Sequence, residues 1–265
     1  DHIRQETGDL VLNMMDTHCH IDFEDFDNDR DEVIKRAKDK LDNVIVSGYS
    51  NDSNLDVLQL SKDNPGFIYP TFGFHPVSSQ NSTEEELKLA HENIIKHIDE
   101  IVAIGEVGMD YFYVTDKTLR EKQQEIFTSF LELANEYNVP IVMHVRDCEK
   151  KAVNIIENYE EIPYFVFHCY GGSLKTAKRI MNMDNAYMSF STMVCYSKKH
   201  QDLIEKIDLD YVLTETDSPY LAMTKDERNE PVNVVKAVEK IAEIKNIDIS
   251  SVDEITTNNA RRIFN

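Results

Sequence analysis

Short apolar runs and longer amphipathic stretches alternate along the whole chain. The runs lie at Asn43 to Ser47, Ile68 to Phe72, Ile101 to Gly105, Pro140 to His144, Tyr164 to His168, Ala186 to Phe190 and Tyr211 to Glu215; an opening run around Met14 to His18 makes eight. Short, nearly continuous apolar runs predict parallel strands buried on both faces. Pro70 weakens one of them, because it cannot donate to a ladder. Helical patterns fill the intervals. Asp31 to Leu41 is amphipathic, and Ser82-Thr-Glu-Glu-Glu86 offers a helix start followed by Leu87, Ala90, Ile94 and Ile98 on one face. Thr118 to Tyr137 predicts the longest helix, with shorter ones at Ser173 to Met183 and Lys198 to Ile207. Pro231 suits the first turn of a segment carrying Val234, Val235, Val238, Ile241 and Ile244, and a last helix is expected from Ser250 to Phe264.

Eight strand and helix alternations fit either an open doubly wound sheet or a closed barrel. A length of 265 residues favours the α/β reading of a single-domain (β/α)8 TIM barrel over residues 14–265. Residues 1–13 read as an N-terminal extension, with Met14 the expected natural start.

Composition narrows the function. Lys and Arg number 28 against 49 Asp and Glu, a net charge of −21. That argues against a protein coating duplex DNA non-specifically, which needs massed Lys and Arg. It leaves room for an enzyme that grips a strand end locally. Cys19, Cys148, Cys169 and Cys195 form no CxxC pair, which argues against a zinc ribbon or disulfide framework and for free thiols in a reducing, cytoplasmic setting. No apolar run approaches the roughly 18 residues of a membrane span, and residues 1–13 lack a secretory pattern. Neither a membrane nor an obligate protein partner is expected.

Candidate chemistry gathers at the strand ends. His18 and His20 close the first run, Glu106 follows the fourth, His144 closes the fifth, His168 the sixth, and Asp217 follows the eighth. Residues i and i+2 of a strand share a face, so His18 and His20 aim at one point. In a barrel all these ends meet at one mouth. Imidazoles with carboxylates suit Zn, Mn or similar ions, and carboxylates with water also admit Mg. Six ligands exceed what one catalytic ion needs, because water and substrate require open positions. Two divalent ions about 3.5–4 Å apart, bridged by a carboxylate, are the natural arrangement, and Glu106 is the candidate bridge. A lone His ending a strand is more often a hydrogen-bonded core residue. Six such positions at one end of the barrel are harder to explain that way.

Six motifs carry a family resemblance. Asp16-Thr-His-Cys-His-Ile21, Gly73-Phe-His-Pro76, Gly105-Glu-Val-Gly-Met-Asp-Tyr111, Val142-Met-His-Val-Arg-Asp147, His168-Cys-Tyr-Gly-Gly172 and Glu215-Thr-Asp-Ser-Pro-Tyr-Leu221 resemble, in order, those of TatD-family metal-dependent deoxyribonucleases. Asn229-Glu-Pro231 and the closing Asn258 to Phe264 also resemble that family's tail. The resemblance implies a TIM barrel of the amidohydrolase superfamily that hydrolyses DNA with divalent metals, often as a 3′–5′ exonuclease; the net charge of −21, which leaves few phosphate contacts beyond the mouth, predicts action at the ends of single strands. The resemblance assigns His18, His20, Glu106 and Asp217 to one metal and Glu106, His144 and His168 to the other, with Asp217 accepting the proton of the attacking water.

The remaining polar residues of the mouth have provisional roles. Arg146 offers a bidentate fork for phosphate. His75 is a candidate for phosphate contact or proton donation. Lys198 and Lys199 form the nearest basic patch for a strand backbone. Glu215 and Asp110 are expected to orient ligands or loop from behind, and Tyr170 and Tyr220 are candidates for stacking on bases. Two other functions fit the same residues: a hydrolase of another ester or amide, such as an aminoacyl ester, and a metal-stabilised binding protein without turnover. The absence of a bridging Lys at the strand ends favours the nuclease.

Overall fold

The computed structural model describes residues 12–265; all of the proposed extension except Leu12 and Asn13 lies outside the described residues. Eight parallel strands pair in chain order: β1 Met15–Cys19, β2 Asn43–Ser47, β3 Ile68–Phe72, β4 Ala103–Asp110, β5 Ile141–Arg146, β6 Phe165–His168, β7 Ala186–Phe190 and β8 Val212–Thr214. The α-helices are α1 Arg30–Lys40, α2 Asn51–Asp63, α3 Pro76–Ser79, α4 Glu84–Lys96, α5 Lys117–Tyr137, α6 Glu149–Ile156, α7 Leu174–Met181, α8 Lys198–Lys206, α9 Val234–Lys245 and α10 Ile249–Phe264. The expected TIM barrel is therefore present. Among the described residues no helix is long and apolar enough to cross a membrane.

Side chains divide between two cores. Ile104, Val107, Met109, Ile141, Met143, Phe165 and Phe167 point outward into the layer between strands and helices. Met15, Ile45, Ala103, Val142, Val166, Tyr187 and Leu213 point inward and fill the barrel floor. Ala260, Ile263 and Phe264 of α10 pack against these residues and plug the floor from below. The mouth at the other end is left free for polar groups.

The sequence pattern misses some elements. α2, the short α3 and α6 are not among the helices that the pattern predicts. The buried face of α2 includes Ser53 and Asn54, and Asn54 uses its amide to hold both the N–H and the carbonyl of Gly73, each at 3.0 Å. An amide in place of an apolar contact breaks the helical hydrophobic rhythm. The fourth strand, expected to end at Gly105, runs on to Asp110.

The barrel closes between β8 and β1 mainly through side chains. Asp16 is fully buried. Its Oδ1 accepts from the Thr216 N–H at 2.9 Å and the His18 N–H at 3.2 Å, and its Oδ2 from the Thr216 hydroxyl at 2.5 Å. Thr17 donates its hydroxyl to the Thr214 carbonyl. Two backbone bonds continue the seam, from Asp217 N–H to His18 O at 2.9 Å and from His20 N–H to Ser218 O at 2.8 Å. Asp16→Ala strips three buried donors of their acceptor. At about 1–3 kcal/mol per unsatisfied donor, urea unfolding is expected to show a loss of at least about 3 kcal/mol, with Asp16→Asn intermediate.

Candidate metal centre

Two strands change the side of the barrel they present on the way to the mouth. In β1 the pairing with β2 shifts between Asp16 and Cys19. Met15 faces the floor and Cys19 faces the helices, so His18 and His20 come to point inward. In β4 the pairing with β5 shifts between Ile104 and Val107. Ala103 points in, Ile104, Val107 and Met109 point out, and Glu106 therefore turns in beside the histidines. A single-residue irregularity re-aims a side chain in this way wherever strict alternation would send it to the wrong face. β5 and β6 need no such device: Val142 and His144 share one face, as do Val166 and His168.

Close backbone approach holds the arrangement. A Cβ on Gly73 would stand 2.3 Å from the Gly105 carbonyl carbon and 2.4 Å from the Glu106 nitrogen. Gly108 has φ of 151° and passes against His144, whose carbonyl oxygen would lie 1.9 Å from an added Cβ. Only glycine fits both places.

Glu106 stands at the centre of the mouth with its two oxygens turned to different partners. Oε1 lies 3.7 Å from His18 Nε2 and 3.5 Å from His20 Nε2. Oε2 lies 3.1 Å from both His144 Nδ1 and His168 Nε2. Asp217 Oδ1 completes the first group at 3.5 Å from His18 Nε2 and 3.3 Å from His20 Nε2. The structure thus brings together all six sequence-predicted ligand positions. It also adds His75, whose Nε2 is 3.9 Å from Glu106 Oε2 and whose ring meets His144 at 4.5 Å between centroids.

The outer atoms of the rings fix which nitrogens face inward. His20 Nδ1 is 3.0 Å from the Ser47 carbonyl, which can only accept, so that nitrogen carries the proton. His168 Nδ1 is bound to Glu215 Oε1 at 2.9 Å, and Ser189 donates to the other Glu215 oxygen at 2.6 Å. His144 Nε2 is bound to Asp110 Oδ2 at 2.7 Å; the other oxygen of Asp110 accepts from the Phe112 and Tyr113 N–H groups. Glu215 and Asp110 thus grip the histidines from behind, and lone pairs are left facing the centre. His75 is built the other way. Its Nδ1 accepts from the Val77 N–H at 3.2 Å, so a neutral ring presents an N–H to the cluster. That makes it a donor and sets it apart from the other histidines.

Charge in this pocket is out of balance without cations. Burial alone would raise Glu106 and Asp217; for Glu106 the His168 and His144 imidazoles overcome it and hold the carboxyl well below its ordinary range, and Asp217 is lowered by His168 and His20. Burial alone would lower His20, yet its bond to Asp217 and the field of Glu106 raise it to about 9. His168 is also raised, by Glu215 and Glu106 against the effect of burial. The carboxylates thus favour the charged forms of His20 and His168, whereas burial and the neighbouring His168 lower His18. The donor set therefore fits divalent cations, which satisfy the same carboxylates while leaving the imidazoles neutral to coordinate. Burial drives His75 down to about 4, and it is neutral near pH 7.

The rim departs from expectation in several ways. Arg146 has no carboxylate partner among the described residues; its guanidinium lies over the Phe112 ring at 3.7 Å and near Tyr113 at 5.1 Å. It lines a cavity of about 380 Å³ together with His144, His168, Asp217, Phe112 and Lys199. Lys198 does not line that cavity. It is exposed and paired with Asp202 one turn along α8, so the expected two-lysine patch reduces to Lys199. Tyr170 is buried and donates its hydroxyl to the Ser173 carbonyl, which removes it as a stacking surface, whereas Tyr220 is exposed. Sequence reasoning missed Phe112 and Tyr113, both exposed. They sit just past the Gly105 to Tyr111 motif, and two adjacent aromatics in a predicted loop were the available signal.

A parallel barrel whose mouth gathers imidazoles around shared carboxylates defines a metal-dependent hydrolase. The family described as TatD related DNase matches residues 15–265, and the chain belongs to it. An uncharacterized metal-dependent hydrolase of Methanocaldococcus jannaschii is 41% identical over 254 residues, covering 96% of this chain and 97% of that protein. The human deoxyribonuclease TATDN3 is 29% identical over 262 residues, covering 96% and 95% of the two chains. The crystal structure of YJJV, a TatD homolog from Escherichia coli K12, superposes with a TM-score of 0.88 at 25% identity, covering 96% of this chain and 99% of that one.

Removing the supports of the two histidines tests the reading of the rings. Glu215→Gln and Asp110→Asn are each expected to weaken metal affinity by about 10–100-fold, measured by competition with a chelating dye. Unchanged affinity in both would separate these carboxylates from the metal centre.

Proposed function

We propose that this hydrolase cuts phosphodiester bonds of DNA, removing nucleotides from the 3′ ends of single strands, with two divalent ions sharing Glu106. The observation that carries the two-ion reading is the division of the Glu106 carboxylate: one oxygen faces His18 and His20, the other His144 and His168. DNA as substrate is supported by the family and by the name of the human relative. Ions held there would lower the pKa of a water toward neutrality and offset negative charge on the phosphate.

Each residue of the mouth then has a distinct task. Glu106, almost wholly buried, balances charge. Asp217 is 16% exposed at its side chain and lines the cavity, so it is the carboxylate assigned to take the proton from the attacking water. Arg146 has its guanidinium plane steadied on Phe112 and its N–H edge free for a phosphate oxygen. His75, neutral and with its proton on Nε2, is assigned as a hydrogen-bond donor to a phosphate or leaving oxygen. Lys199 adds charge at the cavity edge.

Elemental analysis after metal loading is expected to give two ions per chain, and anomalous scattering two positions. Stoichiometry that never exceeds one removes the shared-carboxylate arrangement. Glu106→Gln is expected to lose metal and activity together, because a neutral amide cannot balance two dications. Asp217→Asn is expected to abolish turnover of end-labelled oligonucleotides, and chelation should do the same to the wild type. Circular single strands are expected to resist cleavage while linear ones are trimmed in a ladder. Efficient cutting of circles would exclude dependence on an end, and hydrolysis confined to non-nucleotide esters would exclude the nuclease.

A further inference from the structure

A second depression opens on the mouth side of the barrel, outside β5 and β6. It has a volume of about 620 Å³ and lies between the first turns of α6 and α7. Its far wall comes from Ser173, Lys175 and Thr176, and its near wall from Glu149, Lys150 and Lys151. Asp147 and Glu149 line both this groove and the catalytic cavity, so the two share a wall.

The groove inverts the charge of the molecule. The chain as a whole carries −21. Here four cations, Lys150, Lys151, Lys175 and Arg179, face two carboxylates. Arg179 is committed to Glu157 at 2.9 Å. Lys150 and Lys175 have no hydrogen bond or ion pair among the described residues, and Lys151 has only the Tyr111 ring, at 5.9 Å. One carboxylate is partly used as well: Glu149 Oε1 accepts from the Asp147 N–H at 3.2 Å. Elsewhere on the surface, Lys62, Lys88, Lys117 and Lys198 each have an acidic neighbour, while others such as Lys35 and Lys122 stand free as well among the described residues; what sets Lys150 and Lys175 apart is their place in a groove with an excess of cations beside the catalytic cavity. Lysines left free in an acid-rich protein, in a groove that shares a wall with the active cavity, are placed for an anion that arrives with the substrate.

We propose that this groove is a phosphate-binding subsite for the single strand whose terminal bond lies at the metal centre, and that Lys150 and Lys175 contact backbone phosphates beyond the reacting one. The inference rests on the nuclease reading of the main site and adds to it a footprint. The wall between the two sites carries Asp147 and Glu149, which line both, with Phe112 on the cavity side and Tyr111 on the groove side; a strand crossing over the aromatic rings, clear of these carboxylates, leaves the cavity past Arg146 and descends toward the lysines. Phosphates provide the charge that free lysines match, and a flexible single strand can follow the bend where a duplex cannot. A long strand is then held at two places and a dinucleotide at one.

The test compares the wild type, Lys150→Gln/Lys175→Gln and a control with the same loss of charge, Lys88→Gln/Lys117→Gln, on a dinucleotide and a decanucleotide. The wild type and control are expected to show a much lower KM for the longer substrate. In the groove variant the decanucleotide KM should rise toward that of the dinucleotide, with kcat and the dinucleotide kinetics unchanged. Fluorescence anisotropy with the decanucleotide, in chelator so that no turnover occurs, supplies the second measurement. With each single-strand phosphate contributing about 0.7 to the slope of log K against log salt, losing two contacts should reduce that slope by about 1.4. Length-independent KM in the wild type, or an equal loss in variant and control, overturns the subsite. If neither substrate is cleaved, the nuclease reading fails, and anisotropy still decides the groove: a slope lowered only in the groove variant upholds it, and an unchanged slope overturns it.

Discussion

A carboxylate sealed from water must find compensating charge inside the protein, because desolvating an ion costs several kcal/mol. Glu106 imposes that condition on the whole mouth. Its backbone can reach the centre only because Gly73 and Gly108 let neighbouring strands pass without a Cβ between them. Its side chain faces inward only because β4 slips by one residue before it. Around it His18, His20, His144 and His168 bring nitrogen, and Glu215 and Asp110 settle which nitrogen each of two rings presents. The barrel floor, filled by apolar residues and stoppered by α10, keeps water from the underside. Polar groups are thereby confined to one end, where the low dielectric below strengthens every charge interaction above.

Much of this was legible in the chain. The apolar runs gave the eight strands, and the interval pattern gave most of the helices. His144 and His168 could be placed on the mouth side because they continue the inward parity of Val142 and Val166. Glu106 could not be placed that way. It shares parity with the outward Ile104, and alternation alone would have sent it to the helices. α2 was hidden because part of its buried face is Ser53 and Asn54, whose task is to bind Gly73. Lys198 and Lys199 are adjacent letters, and only the helix shows that one turns to Asp202 while the other turns to the cavity. The role of Phe112 under Arg146 depends on a fold that brings the β4–α5 loop against the end of β5. No spacing rule reports such a contact.

The seam between β8 and β1 gives the chain a direction in time. Asp16 finds Thr216 and His18 finds Asp217 across about two hundred residues, and Asn13 donates to Asp253 across still more. A ribosome releases the first strand long before the last. His18 and His20 therefore emerge early and remain on an open sheet edge until the final quarter of the chain arrives with Asp217. Contacts so distant in sequence form late, since loop-closure entropy must be met before they contribute. The hydrolytic centre is thus completed only late in synthesis, and a chain ended before the last strand carries imidazoles with no carboxylate across the seam. Hydrolysis at this mouth therefore waits on the arrival of the last strand.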